Sequence, residues 1–349
     1  MNFFMHRLGL TAPILQAPMA GSQDHRLAAA VSTAGGLGAL PAAMLSAQQL
    51  EAQLHALQGA TSRPFNVNFF CHDTPSPDAS RLAQWHQLLA PYYLEMGLDP
   101  AQIPEGAGRV PYGSQAAEVL EAFKPAVVSF HFGLPQASWI ERIKAWGGLV
   151  WSSATTVQEA VWLQDRGVDA IIAQGLEAGG HRGMFLSDDL TRQMGTFALL
   201  PQIVQAVRVP VIAAGGMADA ASVRAAKTLG ASAVQIGSAY LCSDEATTSA
   251  LHRAALQSPQ AQHTALTNLF SGRAARGIVN RLMREVGPLS SAAPAFPLAT
   301  AAIAPLRAAA EAQQRSDFSP LWAGQNASGA RALPAADITQ AFIAAWRAG

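Results

Sequence analysis

Eight short runs of continuously apolar or β-branched residues recur along the chain, each ending in glycine, proline or a polar residue. They are ILQAPM (14–19), GLGAL (36–40), FNVNFF (65–70), AVVSFHFG (126–133), GLVWSSAT ending at Thr155, AIIAQG (170–175), VPVIAAGG (209–216) and AVQIGSAYL (233–241). A run that does not alternate must be covered on both faces, as a parallel strand walled by helices is. Helical patterns fill the gaps, among them 24–34, 156–166, 199–207 and 219–229. Eight such strand–helix units predict an α/β chain folded as a (β/α)8 TIM barrel over 1–242, rather than an open doubly wound sheet.

Two stretches are too long to be ordinary connections. Residues 71–118, broken by PSP, PEGAG and VPYG, predict a partly helical insertion, and 243–320, ending near SSAAPAFP, predict a helical accessory lobe over one end of the barrel. The segment 321–349 is expected to return to the barrel.

The 23 basic side chains balance the 23 acidic ones, so nothing in the charge favours nucleic acid or an acidic membrane surface. A small-molecule partner is expected instead. The two cysteines, Cys71 and Cys242, lie far apart without CxxC spacing, which suggests neither a disulfide framework nor a zinc site. They read as small packing residues. The N-terminus lacks a charged region leading into a long apolar core, and no apolar run reaches membrane-spanning length. A cytoplasmic protein, monomeric or a homodimer, is the expectation.

In such a barrel the chemistry gathers at the C-terminal strand ends. Those positions hold Pro18, Met19, Asn68, His131, Thr155, Gln174, Gly215, Gly216, Gly237 and Ser238. They are rich in glycine and amides and poor in carboxylates, so no metal site is expected. The loops AAGGMAD and QIGSAYL let backbone N–H groups approach an anion, Ser238 adds a hydroxyl, and barrels commonly bind phosphate there. His131 stands between phenylalanines at a strand end, where it reads either as a core histidine or as a wall of the site. His181 differs: Gly179, Gly180 and Gly183 leave little local bulk to bury it, so its imidazole is free to face the cavity and take a proton near neutral pH. Glu177 and Arg182 read as salt-bridged loop residues without a chemical part.

These residues resemble the nitronate monooxygenases, formerly called 2-nitropropane dioxygenases, and in particular their class I. The matching stretches are QAPMAG (16–21), LAAAVSTAGGLGAL (27–40), FNVNFF (65–70), VSFHFGLP (128–135), SSATT (152–156), AQGLEAGGHRG (173–183), PVIAAGGMAD (210–219), AVQIGSAYL (233–241) and LWAGQ (321–325), in order along nearly the whole chain. The resemblance implies an FMN-dependent barrel oxidoreductase that oxidises alkyl nitronates such as propionate 3-nitronate with O2 to a carbonyl compound and nitrite. It implies a role in detoxification. His181 would be the catalytic base for a neutral nitroalkane, or would orient a nitronate already formed, with His131 in the same pocket. FMN would contact Pro18, Met19, Asn68, Gln174, Gly179 and Gly180, with its phosphate on Gly215, Gly216, Gln235, Ile236, Gly237 and Ser238. Gln325 would reach back to it. Some members carry a tyrosine and a lysine near the GQ segment; here Trp322 and Ala323 stand there and no lysine follows. Tyr112 of VPYG is the expected substitute hydroxyl.

Two other functions share these features. An FMN-dependent NAD(P)H enoyl-thioester reductase would have the same barrel and phosphate loops, although SFHFG and HRG fit the nitronate oxidisers better. A flavin- or phosphate-binding barrel without turnover is the other, because one fold hosts many functions.

Overall fold

The computed structural model describes residues 2–106 and 109–348, so Ala107 and Gly108 of the PEGAG break lie outside it. Its strands, in chain order, are β1 (Ile14–Gln16), β2 (Gly38–Pro41), β3 (Phe65–Phe70), β4 (Val127–His131), β5 (Leu149–Ala154) and β6 (Ala170–Gln174). After these come β7 (Gly180–His181), β8 (Val211–Ala214), β9 (Ala233–Ile236), β10 (Thr264–Thr267) and β11 (Ala275–Ile278). Eight of them form a parallel sheet in the order β1-β9-β8-β6-β5-β4-β3-β2. A bridge between Leu15 and Leu37 closes it: Gln16 N–H donates to Leu37 O and Leu37 N–H to Ile14 O, both at 2.9 Å. Each of the eight apolar runs supplies one strand of the resulting barrel, because strands buried on both faces carry no alternation to confuse the reading.

The outer helices begin where the sequence offers caps. Asp24 caps His25–Thr33, Thr156 caps Val157–Asp165, and Asp219 with Ser222 forms a capping box on Ala220–Thr228. The helix Thr196–Ala206 starts three residues earlier than its periodicity predicts. Its first N–H, on Thr196, is held at 2.8 and 2.9 Å by the Glu177 carboxylate, a cap from another loop.

The final helix, Ala335–Ala348, packs against both His25–Thr33 and Ala220–Thr228. It is therefore the outer helix of the eighth unit, and everything between β9 and residue 334 is lodged in one strand-to-helix connection. That connection is not only helical. Besides the helices Ala250–Leu256, Arg281–Val286 and Ala299–Ala312, it holds the antiparallel pair β10–β11, and β11 also pairs with β7, Ala275 opposite His181. Helix Ala79–Glu95 of the 71–118 insertion packs on Ala299–Ala312, and Trp85, Leu89, Phe270, Ile303 and Phe318 share a second core between them.

At the N-terminal end of the strands the helix Phe3–Leu8 seals the barrel. Phe4 is fully buried and meets Trp151 edge to face with centroids 5.3 Å apart, amid Leu15, Leu37, Ile172 and Ile212. Among the described residues no helix is long and apolar enough to cross a membrane.

Candidate active site

The opposite end opens into a cavity. Pro18, Met19, Asn68, His131, Gln174, Gly179, Gly180, His181, Gly215, Gly216, Gln235, Gly237 and Ser238 all line it. Four predicted residues do not. Thr155 is fully buried and gives its N–H and hydroxyl to the Glu159 carboxylate at 2.7 and 2.8 Å. Ile236 is fully buried in the barrel wall, since its strand alternates and Gln235 takes the inward position. Tyr112 is directed into the apolar core against Phe69, Phe130 and Trp139, because its N–H pairs with Phe70 O and turns the ring inward. Gln325 has an exposed side chain and contributes only its N–H, donated to Glu177 O at 2.9 Å, while its neighbours Gly324 and Asn326 line the cavity.

Buried amides set the first loops. Gln16 accepts the Ala39 N–H at 2.8 Å and donates to Gln23, whose Oε1 takes the Met19 N–H at 2.9 Å. Pro18 and Met19 are thereby fixed at the rim. Asn68 gives its amide N–H to Ser129 Oγ at 2.9 Å and to Ser129 O at 3.2 Å, which leaves its carbonyl for the cavity.

The glycines have different reasons. Gly215 and Gly216 sit at φ +107° and +73°, conformations that a side chain strains. Between them and the β9 end, the N–H groups of Gly216, Gly237 and Ser238 find no acceptor among the described residues. Ser238 Oγ accepts the Gly324 N–H at 2.9 Å and keeps its own proton to donate. These groups form a concave array of donors, the arrangement that holds a phosphate. A Cβ on Gly179 would lie 2.6 Å from Gly324 N, and one on Gly183 would lie 2.8 Å from the His131 ring.

The two histidines are held differently. A carbonyl only accepts, so the 3.1 Å contact of His131 Nε2 with His181 O puts the proton on Nε2, and Nδ1 then accepts from Ser153 Oγ at 3.0 Å. Gln174 donates to the same carbonyl at 2.9 Å and accepts the Gly183 N–H at 2.8 Å. His131 is thus satisfied at both nitrogens and serves to pin the loop; burial pushes its pKa down to about 4. The His181 ring lies among Phe70, Phe132, Phe296 and Trp322, with centroids 5.4 to 6.0 Å away. Phe132 keeps its place at φ +69°, a conformation uncommon for a bulky residue and met mostly where function over-determines it. Burial first, then the charges of Arg109 and Arg273 and the neighbouring His131 and His72, hold the His181 pKa well below the usual histidine value. It is uncharged at neutral pH.

Around this ring lie polar groups without partners. Arg109 Nη1, Arg273 Nε and both ring nitrogens of His72 are buried and unbonded among the described residues. Arg109 lies 5.4 Å over the Phe296 ring and lines the cavity; Arg273 lies 4.1 Å over Phe132 and donates to Met184 O. Among the described residues no aspartate or glutamate lines the cavity. A buried guanidinium N–H with nothing to donate to is costly, which favours an anion in this place.

Glu177 and Arg182 are not paired with each other. Glu177 caps Thr196, and Arg182, fully buried, donates to Gly175 O at 2.7 Å, Gln174 O at 2.8 Å and Gln193 Oε1. Each braces the glycine loop separately. Burial raises the pKa of both cysteine thiols, which leaves them unsuited as nucleophiles.

Sequence reasoning missed Phe70, Arg109, Ser153, Trp322 and Asn326 of the lining and, beyond it, Ser271 and Phe296. Arg109, Ser271 and Phe296 come from the two insertions, whose irregular sequence carries no period, Trp322 and Asn326 follow the second of them, and Phe70 and Ser153 lie on β3 and β5. The departure at the LWAGQ segment was the one signal available, and it leads to Trp322, 5.5 Å from His181.

A family model described as nitronate monooxygenase matches residues 2–344. A nitronate monooxygenase from Pseudomonas aeruginosa is 40% identical over 342 residues, covering 97% of each chain. Another, from Paraburkholderia phytofirmans, is 42% identical over 337 residues, covering 95% of this chain and 91% of that one. The solved structure of a nitroalkane oxidase from Streptomyces ansochromogenes superposes with a TM-score of 0.90 at 37% identity, covering 99% of this chain and 98% of the other.

Proposed function

The chain belongs to the nitronate monooxygenase family, and from that premise we propose that it oxidises alkyl nitronates, propionate 3-nitronate among them, with O2 to a carbonyl compound and nitrite, using FMN. One observation carries the reading on physical grounds: an uncharged imidazole faces a cavity whose described lining residues include the guanidinium of Arg109, with its buried Nη1 unpartnered among the described residues, and no carboxylate. Such a cavity attracts an anion and offers it nothing to repel. A nitronate is an anion of that kind.

The residues present also fit FMN. The glycine pair with positive φ, the unpartnered N–H groups of Gly216, Gly237 and Ser238 and the Ser238 hydroxyl suit its phosphate. Pro18, Met19, Asn68, Gln174, Gly179, Gly180 and Gln235 would hold the rest. Bound FMN supplies the electron acceptor and the route to O2 that no side chain provides. The chain's own part is to bind and orient: Arg109 attracts the anionic end of the nitronate, His131 and Gln174 fix the His181 backbone, and the aromatic ring of residues around His181 keeps water out. The barrel carries the cofactor, and the insertions at 71–118 and 243–320 supply the roof.

The test is to record the visible spectrum of the purified protein, then add an alkyl nitronate in air and follow O2 uptake and nitrite release. A flavin spectrum with nitronate-dependent O2 consumption and no requirement for NADH is expected. Bound flavin without that activity, together with rapid NADH oxidation on a crotonyl thioester, would replace this reading with enoyl-thioester reduction. A colourless protein that FMN cannot reconstitute would overturn both.

A further inference from the structure

The turn between β10 and β11 brings a serine from the accessory lobe onto the His181 ring. Ser271 Oγ lies 2.8 Å from His181 Nε2, and Ser271 is almost fully buried. The same hydroxyl lies 3.3 Å from Arg273 O, to which it can only donate. When the hydroxyl proton is directed to Arg273 O, the oxygen keeps a lone pair for the imidazole, and in that arrangement Nε2 is the nitrogen that carries the proton. Nδ1 then holds a bare lone pair and has no partner among the described residues. The turn cannot drift, because β11 pairs with β7 and sets Ala275 opposite His181 itself.

We infer that Ser271 is a positioning residue that holds His181 as the Nε2–H tautomer, so that Nδ1 accepts the α-proton of a neutral nitroalkane and the enzyme makes its own nitronate. This rests on the nitronate reading above. In the step, the Cα–H bond breaks and an Nδ1–H bond forms. The electron pair of the broken bond moves into the C=N bond of the nitronate, and its charge falls on the nitro oxygens. The resulting imidazolium keeps its Nε2–H bond to Ser271. The groups facing His181 are His72 and Arg109 from the 71–118 insertion, His131 from β4 and Arg273 from the turn. None is a carboxylate that would stabilise the imidazolium, which favours return of the proton once the nitronate is consumed.

The test combines NMR with kinetics on the flavin-loaded protein. In long-range 1H–15N spectra of labelled protein, wild-type His181 should show a protonated Nε2 and an unprotonated Nδ1. Ser271→Ala should mix the two tautomers, and Ser271→Thr, which keeps a hydroxyl, should restore the wild-type pattern. With nitroethane and ethyl nitronate as probes, Ser271→Ala should lose about tenfold more kcat on the neutral nitroalkane, the scale of one hydrogen bond. A wild-type ring protonated on Nδ1, or an equal loss on both probes with unchanged ring shifts, would overturn the inference. Oxidation of ethyl nitronate without any turnover of nitroethane by wild type would overturn the proton-accepting role and leave the nitronate reading standing. Failure with both probes would overturn the nitronate reading, and the ring shifts would still decide the tautomer.

Discussion

The two ends of the barrel are built from the same strands and obey opposite rules. On β5, Trp151 points to the sealed end and is buried against Phe4, while Ser153, two residues on, accompanies His131 at the open end. On β6, Ile172 belongs to the apolar plug and Gln174 donates to the His181 carbonyl of the glycine loop. At the sealed end apolar groups meet apolar groups, the buried Trp151 Nε1–H being an exception that finds no acceptor among the described residues; at the open end Arg109 Nη1, Arg273 Nε and both His72 ring nitrogens find no partner among them. The lesson is that one end supplies cohesion and the other holds polarity in reserve for a ligand.

That contrast can be broken most forcefully at His181. His181→Asn should lower turnover of neutral nitroalkanes by about 10²–10⁴-fold while leaving the melting temperature nearly unchanged, as steady-state rates and a thermal melt would show. At the sealed end Trp151→Ala should reverse the pattern. A loss of roughly 3–5 kcal/mol in denaturant unfolding is expected, with kcat retained wherever the protein remains folded.

Acid should expose the cost of keeping buried histidines neutral. The pKa of His131 and of His252 falls from 6.5 to about 4 on folding. Between those values the unfolded chain binds protons that the folded chain refuses. The stability they protect is therefore complete above pH 6.5 and declines as pH falls toward 4, by roughly 1.4 kcal/mol per pH unit for each histidine. Unfolding curves across that range measure it, and a flat profile would contradict the burial of both. The smallest effect is expected at Arg109. Arg109→Met should raise KM for a nitronate by about 10- to 100-fold, the scale of one charge-assisted hydrogen bond, with a smaller change in kcat.

The same contrast explains what could be read from the sequence. The barrel was legible because a doubly covered strand announces itself as an unbroken apolar run, and the glycine loops were legible because their composition has few other uses. His181 stood out for the same reason. The strands of the accessory lobe were not legible: TALT and ARGI are short, and ARGI holds a buried arginine, Arg276, whose acceptors are Leu176 O and the Thr264 backbone and hydroxyl. Tyr112 was misread because a position near the cavity in sequence says nothing about which way a ring turns. Ser271 and Arg109 could not be found, since what brings them to the site is the approach of segments 90 and 72 residues from His181 in the chain.

The placement of the last barrel helix bears on how the molecule is made. Ala335–Ala348 covers the gap between the first and seventh outer helices, so a chain emerging from the ribosome displays an open groove beside β1 until residues 335–348 appear. Nascent chains would carry an incomplete wall while everything from β2 to residue 334 is made, and the glycine loop would wait for its serine through the synthesis of the 90 residues that separate Ser271 from His181. Removal of Ala335–Ala348 should therefore be far more damaging than the distance of this helix from the cavity suggests, and slow translation or chaperone shortage should reveal itself as aggregation of chains that already carry every described residue of the cavity lining.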